Sequence, residues 1–116
     1  MVTQIDAALT ALADPTRRRV VELLRDRPHR MGELSAAVDV SAPAMSKHLR
    51  VLRTSGIVEE MREEQDARVH VYQLRPEAFA ALRAWLDHVQ TYWDEQLGAF
   101  KDYAERREPR RNGEPA

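Results

Sequence analysis

The sequence predicts a mainly α-helical fold with a single β-hairpin. Before residue 56, apolar residues recur at three- and four-residue spacing in four separate stretches. Across residues 57–74 the period falls to two, and from Pro76 a helical period resumes and holds to about residue 106. The helix boundaries are marked chemically as well, by Thr3, Asp14 and Ser41 as side-chain caps.

The first helix, residues 4–13, opens with Thr3 and Asp6 at capping-box spacing and lines up Ile5, Ala8, Leu9 and Leu12 on one face. Asp14 caps the second helix and Pro15 takes its first position. That helix runs to about Asp26, with Val20, Val21, Leu23 and Leu24 as core residues, and Pro28 stops it. A short third helix, residues 31–38, offers Leu34 and Val38 to the core. After the tight connection Asp39-Val40, Ser41 caps a fourth helix whose first turn tolerates Pro43. Val40 and Met45 are spaced for a hydrophobic staple, and Met45, Leu49 and Leu52 form its apolar stripe. Gly56 ends it as the left-handed residue past the last turn. Two short helices joined this tightly predict a helix-turn-helix.

Residues 57–61 and 69–74 read as two strands, the second alternating apolar with polar, around a polar tip at 62–68. A hairpin directly after a recognition helix is a wing. The last helix, from Pro76 to about residue 106, would be roughly 45 Å long at ~1.5 Å per residue. A domain of this size has a radius of gyration near ~13 Å, so it cannot cover such a helix along its length. Yet Leu82, Trp85, Leu86, Val89, Tyr92, Trp93, Leu97, Phe100 and Tyr103 continue an apolar stripe nearly to the end. A second copy of the chain is the simplest cover. The alternative is a break that folds the end of the helix back as core. The predicted dimer interface comprises Ile5, Leu9 and Leu12 of the first helix with Trp85, Val89, Tyr92, Trp93, Leu97 and Phe100 of the last.

The 116 residues suffice for one core, assigned to residues 1–106, with 107–116 expected to lack fixed structure. No apolar run reaches membrane-spanning length and the first residues lack a secretory pattern, which predicts a cytoplasmic protein without membrane contact. Zero cysteines exclude disulfides, thiolate metal sites and a cysteine nucleophile. A net charge of −1 argues against nonspecific nucleic-acid binding by the molecule as a whole, but not against a local basic surface. The cations gather in two blocks, Arg17-Arg18-Arg19 and the segment from Lys47 to Arg53.

Opposite the apolar stripe of the fourth helix stand Ser46, Lys47 and Arg50, with His48 and Arg53 on the flanks and no acidic residue from Ser41 to Gly56. Such a face suits phosphates and base edges of double-stranded DNA. With Ser41, Ala42, Pro43 and Ala44 of the first turn, Ser46, Lys47, His48 and Arg50 make up the candidate DNA-binding set, joined by Arg62 and Arg68 on the wing. His48 either packs against the preceding helix or contacts phosphate. Arg62 and Arg68 either reach DNA or are simply solvated. Arg17 and Arg18 are expected to be structural, pairing with Glu22 or with the base of the wing.

The blocks Leu12-Ala13-Asp14-Pro15-Thr16-Arg17-Arg18, Gly32-Glu33-Leu34 and Ser41-Ala42-Pro43-Ala44-Met45-Ser46-Lys47-His48-Leu49, with Leu52 and Gly56, resemble the ArsR-type winged-helix transcriptional repressors. The resemblance spans residues 5–103. It implies a homodimer paired through first and last helices, its recognition helices set in successive major grooves of a palindromic operator. The pattern Trp85, Tyr92-Trp93, Leu97, Phe100, Tyr103 looks like a metal-independent branch. Metal-sensing members carry cysteines after the Glu-Leu pair, where this chain has Ser35-Ala36-Ala37. On the last helix only Asp87 and His88 could ligate, and helix neighbours point about 100° apart. No metal and no cofactor are therefore expected. Ala67 stands before Arg68 where the family often has glycine; Glu63, Glu64 and Asp66 make the wing tip acidic; and Arg30 replaces a common capping threonine.

Catalysis is not expected, for want of a Gly-rich phosphate loop or a nucleophile elbow. Two further readings compete: a winged-helix module that binds protein instead of DNA, and a repressor that responds to a metal or small molecule. Protein-binding winged helices tend to present apolar or acidic recognition faces, so Lys47, Arg50 and Arg53 favour DNA.

Overall fold

The computed structural model describes residues 3–107. Seven elements follow one another: α1 (Gln4–Leu12), α2 (Pro15–Asp26), α3 (Met31–Val38), α4 (Ala42–Thr54), β1 (Val58–Arg62), β2 (His70–Leu74) and α5 (Pro76–Arg107). They fall into two compact units divided after Leu82. The expected unstructured tail from residue 107 differs by one position, since Arg107 is still helical; residues 108–116 lie outside the described part.

The helix starts follow the expected chemistry. Thr3 and Asp6 form a reciprocal capping box, both bonds at 3.1 Å. The Asp14 carboxylate accepts from Arg17 N–H at 3.0 Å, and Ser41 Oγ accepts from Ala44 N–H at 3.2 Å. At α3 the cap is one-sided. Glu33 accepts from Arg30 N–H at 3.0 Å, but an arginine side chain has no acceptor to return the bond.

The core of the first unit draws on every element. Val20 and Leu24 of α2, Leu34 and Val38 of α3, and Met45, Leu49 and Leu52 of α4 are buried, joined by Ile57, Val58 and Tyr72 of the hairpin and Ala78 and Leu82 of α5. Two expectations for α2 are met only in part: Val21 and Leu23 lie at the core's edge, half-buried. In α1 the buried positions are Ala8 and Ala11, small residues that let the helix approach closely, while Leu9 is turned outward.

Two residues with positive φ shape the helix-turn-helix and its exit. Asp39 (φ 55°) makes the turn between α3 and α4, and Gly56 (φ 80°) closes α4. Gly56 N–H donates to the Arg53 carbonyl and Ile57 N–H to the Leu52 carbonyl, both at 3.0 Å, which is a Schellman closure. Leu52 and Ile57, the pair that should touch across such a closure, are both fully buried. The closure feeds the chain straight into β1.

The hairpin is antiparallel, with Val58 opposite Leu74 and Arg62 opposite His70. His29 adds a third, single-residue rung: its N–H donates to the Tyr72 carbonyl at 3.0 Å and Tyr72 N–H returns a bond at 2.8 Å. This rung ties the α2–α3 connection to the wing. Residues 83–107 form the second unit, the remainder of the 32-residue α5. Among the described residues no helix is long and apolar enough to cross a membrane.

Candidate nucleic-acid interface

Helix α4 has two sides of opposite character. Met45, Leu49 and Leu52 anchor it in the core, which fixes its rotation. Ser41, Ala42, Pro43, Ser46, Lys47 and Arg50 then lie exposed, with Ala44 and His48 half-buried at the border. Among the described residues, neither Lys47 nor Arg50 forms an ion pair or a side-chain hydrogen bond. Their charges are uncommitted. Exposed cations on a helix pinned from behind can meet phosphate or a guanine edge with little rearrangement.

Every other cation of the segment, and the whole Arg17–Arg19 block, is engaged. Arg17 Nε donates to the Ala11 carbonyl at 2.7 Å, and Arg18 Nη1 to the carbonyls of Leu12 and Ala13 at 2.8 and 3.0 Å. Arg19 reaches the Ala37 carbonyl at 3.3 Å. The expected structural role of Arg17 and Arg18 holds, but their partners are not Glu22 or the wing. They satisfy carbonyls left unpaired at the C-terminus of α1, which has no basic residue in its own last turn. Arg53 pairs with Glu60 of β1 at 2.9 Å, and Glu60 in turn meets His70 of β2. The end of α4 is thus clamped to the hairpin.

The wing tip is acidic in sequence but largely neutralised in place. Arg30 holds Glu63 at 2.9 Å, and Arg68 pairs with Asp66 at 3.1 Å. Arg68 keeps 91% of its side chain exposed despite that contact. Arg62 Nη1 donates to the Ala67 carbonyl across the tip at 3.2 Å. The two wing arginines are therefore engaged within the tip itself, Arg62 with a backbone carbonyl and Arg68 with a carboxylate.

Three carboxyls are held below the usual carboxylate range. For Asp14 and Glu33 the leading cause is a backbone N–H, from Arg17 and Arg30 respectively; for Asp66 it is the Arg68 guanidinium. Burial pushes the Tyr72 hydroxyl up, with the Glu60 charge adding to it.

His48 is half-buried, and its Nδ1 lies 3.3 Å from Arg17 Nη1. No local sequence pattern announces this contact between residues 31 positions apart. The same holds for Arg30 with Glu63.

The segment 14–60 matches the family model "Bacterial regulatory protein, arsR family". The HTH-type transcriptional regulator Rv2034 of Mycobacterium tuberculosis is 42% identical over 95 residues, covering 82% of this chain and 83% of that protein. The transcriptional repressor SdpR of Bacillus subtilis is 31% identical over 55 residues, 47% of this chain and 61% of that one. A crystal structure of an ArsR family transcriptional regulator superposes with a TM-score of 0.70 at 34% identity, covering 79% of this chain and 98% of that chain.

Proposed function

The chain belongs to the ArsR family of bacterial transcriptional regulators, and from that premise we propose that it acts as a homodimeric repressor, occluding a promoter by binding a palindromic operator through α4. The observation that carries this reading is the division of labour among the cations. Arg17, Arg18, Arg19 and Arg53 are committed within the fold, whereas Lys47 and Arg50 are exposed and free of partners among the described residues. Ser46 and the first turn, from Ser41 to Ala44, flank them as small groups that let a DNA backbone approach closely. Arg62 and Arg68 would touch DNA only by exchanging their tip contacts for phosphate.

Homodimer formation is supported by the exposure of the α5 stripe. Trp85, Leu86, Tyr92, Trp93, Leu97, Phe100 and Tyr103 are seven of the ten large apolar side chains exposed among the described residues. Leu9 is 40% exposed, while Ile5 and Leu12 are partly spent on the chain's own core. Val89 is half-buried within the same stripe.

Metal independence is supported by the donor set. Ser35, Ala36 and Ala37 offer no thiolate, the chain has no cysteine, and among the described residues no group of three His, Cys, Asp or Glu side chains converges. The test is selection of duplexes from a random-sequence library by the full chain, followed by titration of the winning duplex with and without chelator or added zinc. A palindromic winner, bound two chains per duplex and indifferent to metal, is expected. Release by zinc, or no enrichment at all, overturns the proposal. A promoter carrying the selected site, fused to a reporter, then decides whether binding represses transcription.

A further inference from the structure

We propose that Arg17 is a positioning residue for DNA recognition: it fixes the tautomer of His48, so that the ring presents Nε2–H as a hydrogen-bond donor to DNA. This rests on the reading of α4 as the recognition helix. A guanidinium nitrogen can only donate, so the 3.3 Å contact from Arg17 Nη1 makes His48 Nδ1 the acceptor. The ring is then neutral and its single hydrogen sits on Nε2. The tautomer is assigned from this donor logic.

Arg17 is well placed to impose it. Its Nε–H bond to the Ala11 carbonyl, 2.7 Å, holds the planar guanidinium from the far side, so the donor facing His48 does not swing freely. Among the described residues, Nε2 has no hydrogen-bond partner. The ring is half-buried on the border of the exposed face, next to Lys47. An N–H there suits a phosphate oxygen or a purine N7 or O6, and it rejects an amino group on a base edge. Asp14 also lies near the ring, its carboxyl held below the usual carboxylate range chiefly by the Arg17 backbone N–H. A doubly protonated His48 would set an N–H against the guanidinium N–H, which the observed contact does not fit.

Substitution separates the two ring nitrogens. In His48→Gln the amide nitrogen falls near the place of Nε2, keeping the outward donor. In His48→Asn the amide falls near Nδ1, keeping only the inward partner of Arg17. With a duplex selected from a random library by the wild-type chain, His48→Gln should bind within about threefold of wild type. His48→Asn should lose about tenfold, the worth of one charge-assisted hydrogen bond, and Arg17→Met about twofold, the cost of selecting one tautomer from an even mixture. Arg17→Lys, which retains a donor, should recover part of the loss. The discriminating readout is the imidazole nitrogen spectrum of the full chain carrying isotope-labelled histidine, where the His48→Gln variant identifies the His48 signals. Wild type should show hydrogen on Nε2 alone, and Arg17→Met a mixture of tautomers. Hydrogen on Nδ1, a doubly protonated ring at neutral pH, or a tautomer unmoved by Arg17→Met overturns the proposal, as does normal binding by His48→Asn. The spectrum is taken without DNA. The protonation of the ring is therefore decided even where titrations of Lys47→Ala and Arg50→Ala fail to support α4 as the reading helix.

Discussion

At the scale of single residues, this chain separates cations bonded within the fold from cations that form no bond among the described residues. Because the side chains of Lys47 and Arg50 form no ion pair or hydrogen bond among the described residues, removing them should cost binding without costing stability. Lys47→Ala and Arg50→Ala are each expected to weaken binding to a selected duplex by about 1–3 kcal/mol, with the melting temperature nearly unchanged. Replacing Arg18 by alanine would do the reverse, since its guanidinium serves two carbonyls at the end of α1. A titration beside a thermal melt separates the two classes. Asp14 gives a second residue-scale prediction, with a sign that follows from its depressed pKa. Its folded carboxyl ionises at lower pH than the unfolded one, chiefly because it accepts the Arg17 N–H. Its contribution is therefore complete above the unfolded pKa and lost as pH falls through the folded one. Asp14→Ala should destabilise the chain at neutral pH by about 1 kcal/mol, the usual worth of an N-cap, and the gap to wild type should narrow on acidification. Urea melts across the acid range measure it. A gap independent of pH would show that the cap acts without its charge.

At the scale of elements, the places where sequence is informative are those where the physics is local. Caps at Thr3, Asp14 and Ser41, the stripe of Met45, Leu49 and Leu52, and the change of period after Gly56 all act within a few residues, and α3 and the hairpin lie within a residue or so of their expected bounds. The His29 rung is not legible, because one residue in extended conformation has no periodicity and its partner Tyr72 is 43 positions away. The partners of Arg17 and Arg18 differ from expectation for a related reason. Spacing along one helix points to Glu22, whereas unpaired carbonyls at the end of α1 attract the guanidiniums more directly. The candidate DNA face is legible in position but not in its degree of commitment, since only the fold shows Arg53 bound to Glu60. Gly56 joins the two levels. Its φ of 80° is what closes α4 and aims β1, and a Cβ there would meet only Gln4 Nε2, at 3.6 Å. The cost of Gly56→Ala is therefore conformational, about 1 kcal/mol for a left-handed non-glycine residue. Chemical denaturation should show that loss. An unchanged midpoint would mean the closure is maintained by Leu52 and Ile57 alone.

At the scale of the molecule, the proposed function makes affinity for DNA depend on how many copies of α4 act together. One α4 with two free cations gives only weak, salt-sensitive attachment. Two held in fixed register make the second half-site effectively intramolecular and set the spacing near one turn of DNA. The material for such pairing is the α5 stripe, where Trp93 is 56% and Phe100 70% exposed in the single chain. Aromatic side chains of this size supply much of the energy of protein interfaces, and left in water they promote aggregation. Trp93→Glu should therefore dissociate the dimer and abolish operator binding, because an unpaired carboxylate in an apolar seam costs several kcal/mol. Trp93→Phe should retain both properties, since it keeps an aromatic ring without adding charge. The two variants need no change on α4, so any loss of binding is transmitted through assembly alone. Sedimentation of each variant, run beside titration of a selected duplex, follows both links. If Trp93→Glu stays dimeric and binds normally, the partner's surface lies elsewhere. If it becomes monomeric yet binds with full affinity, a single recognition helix suffices and the palindromic operator must be given up.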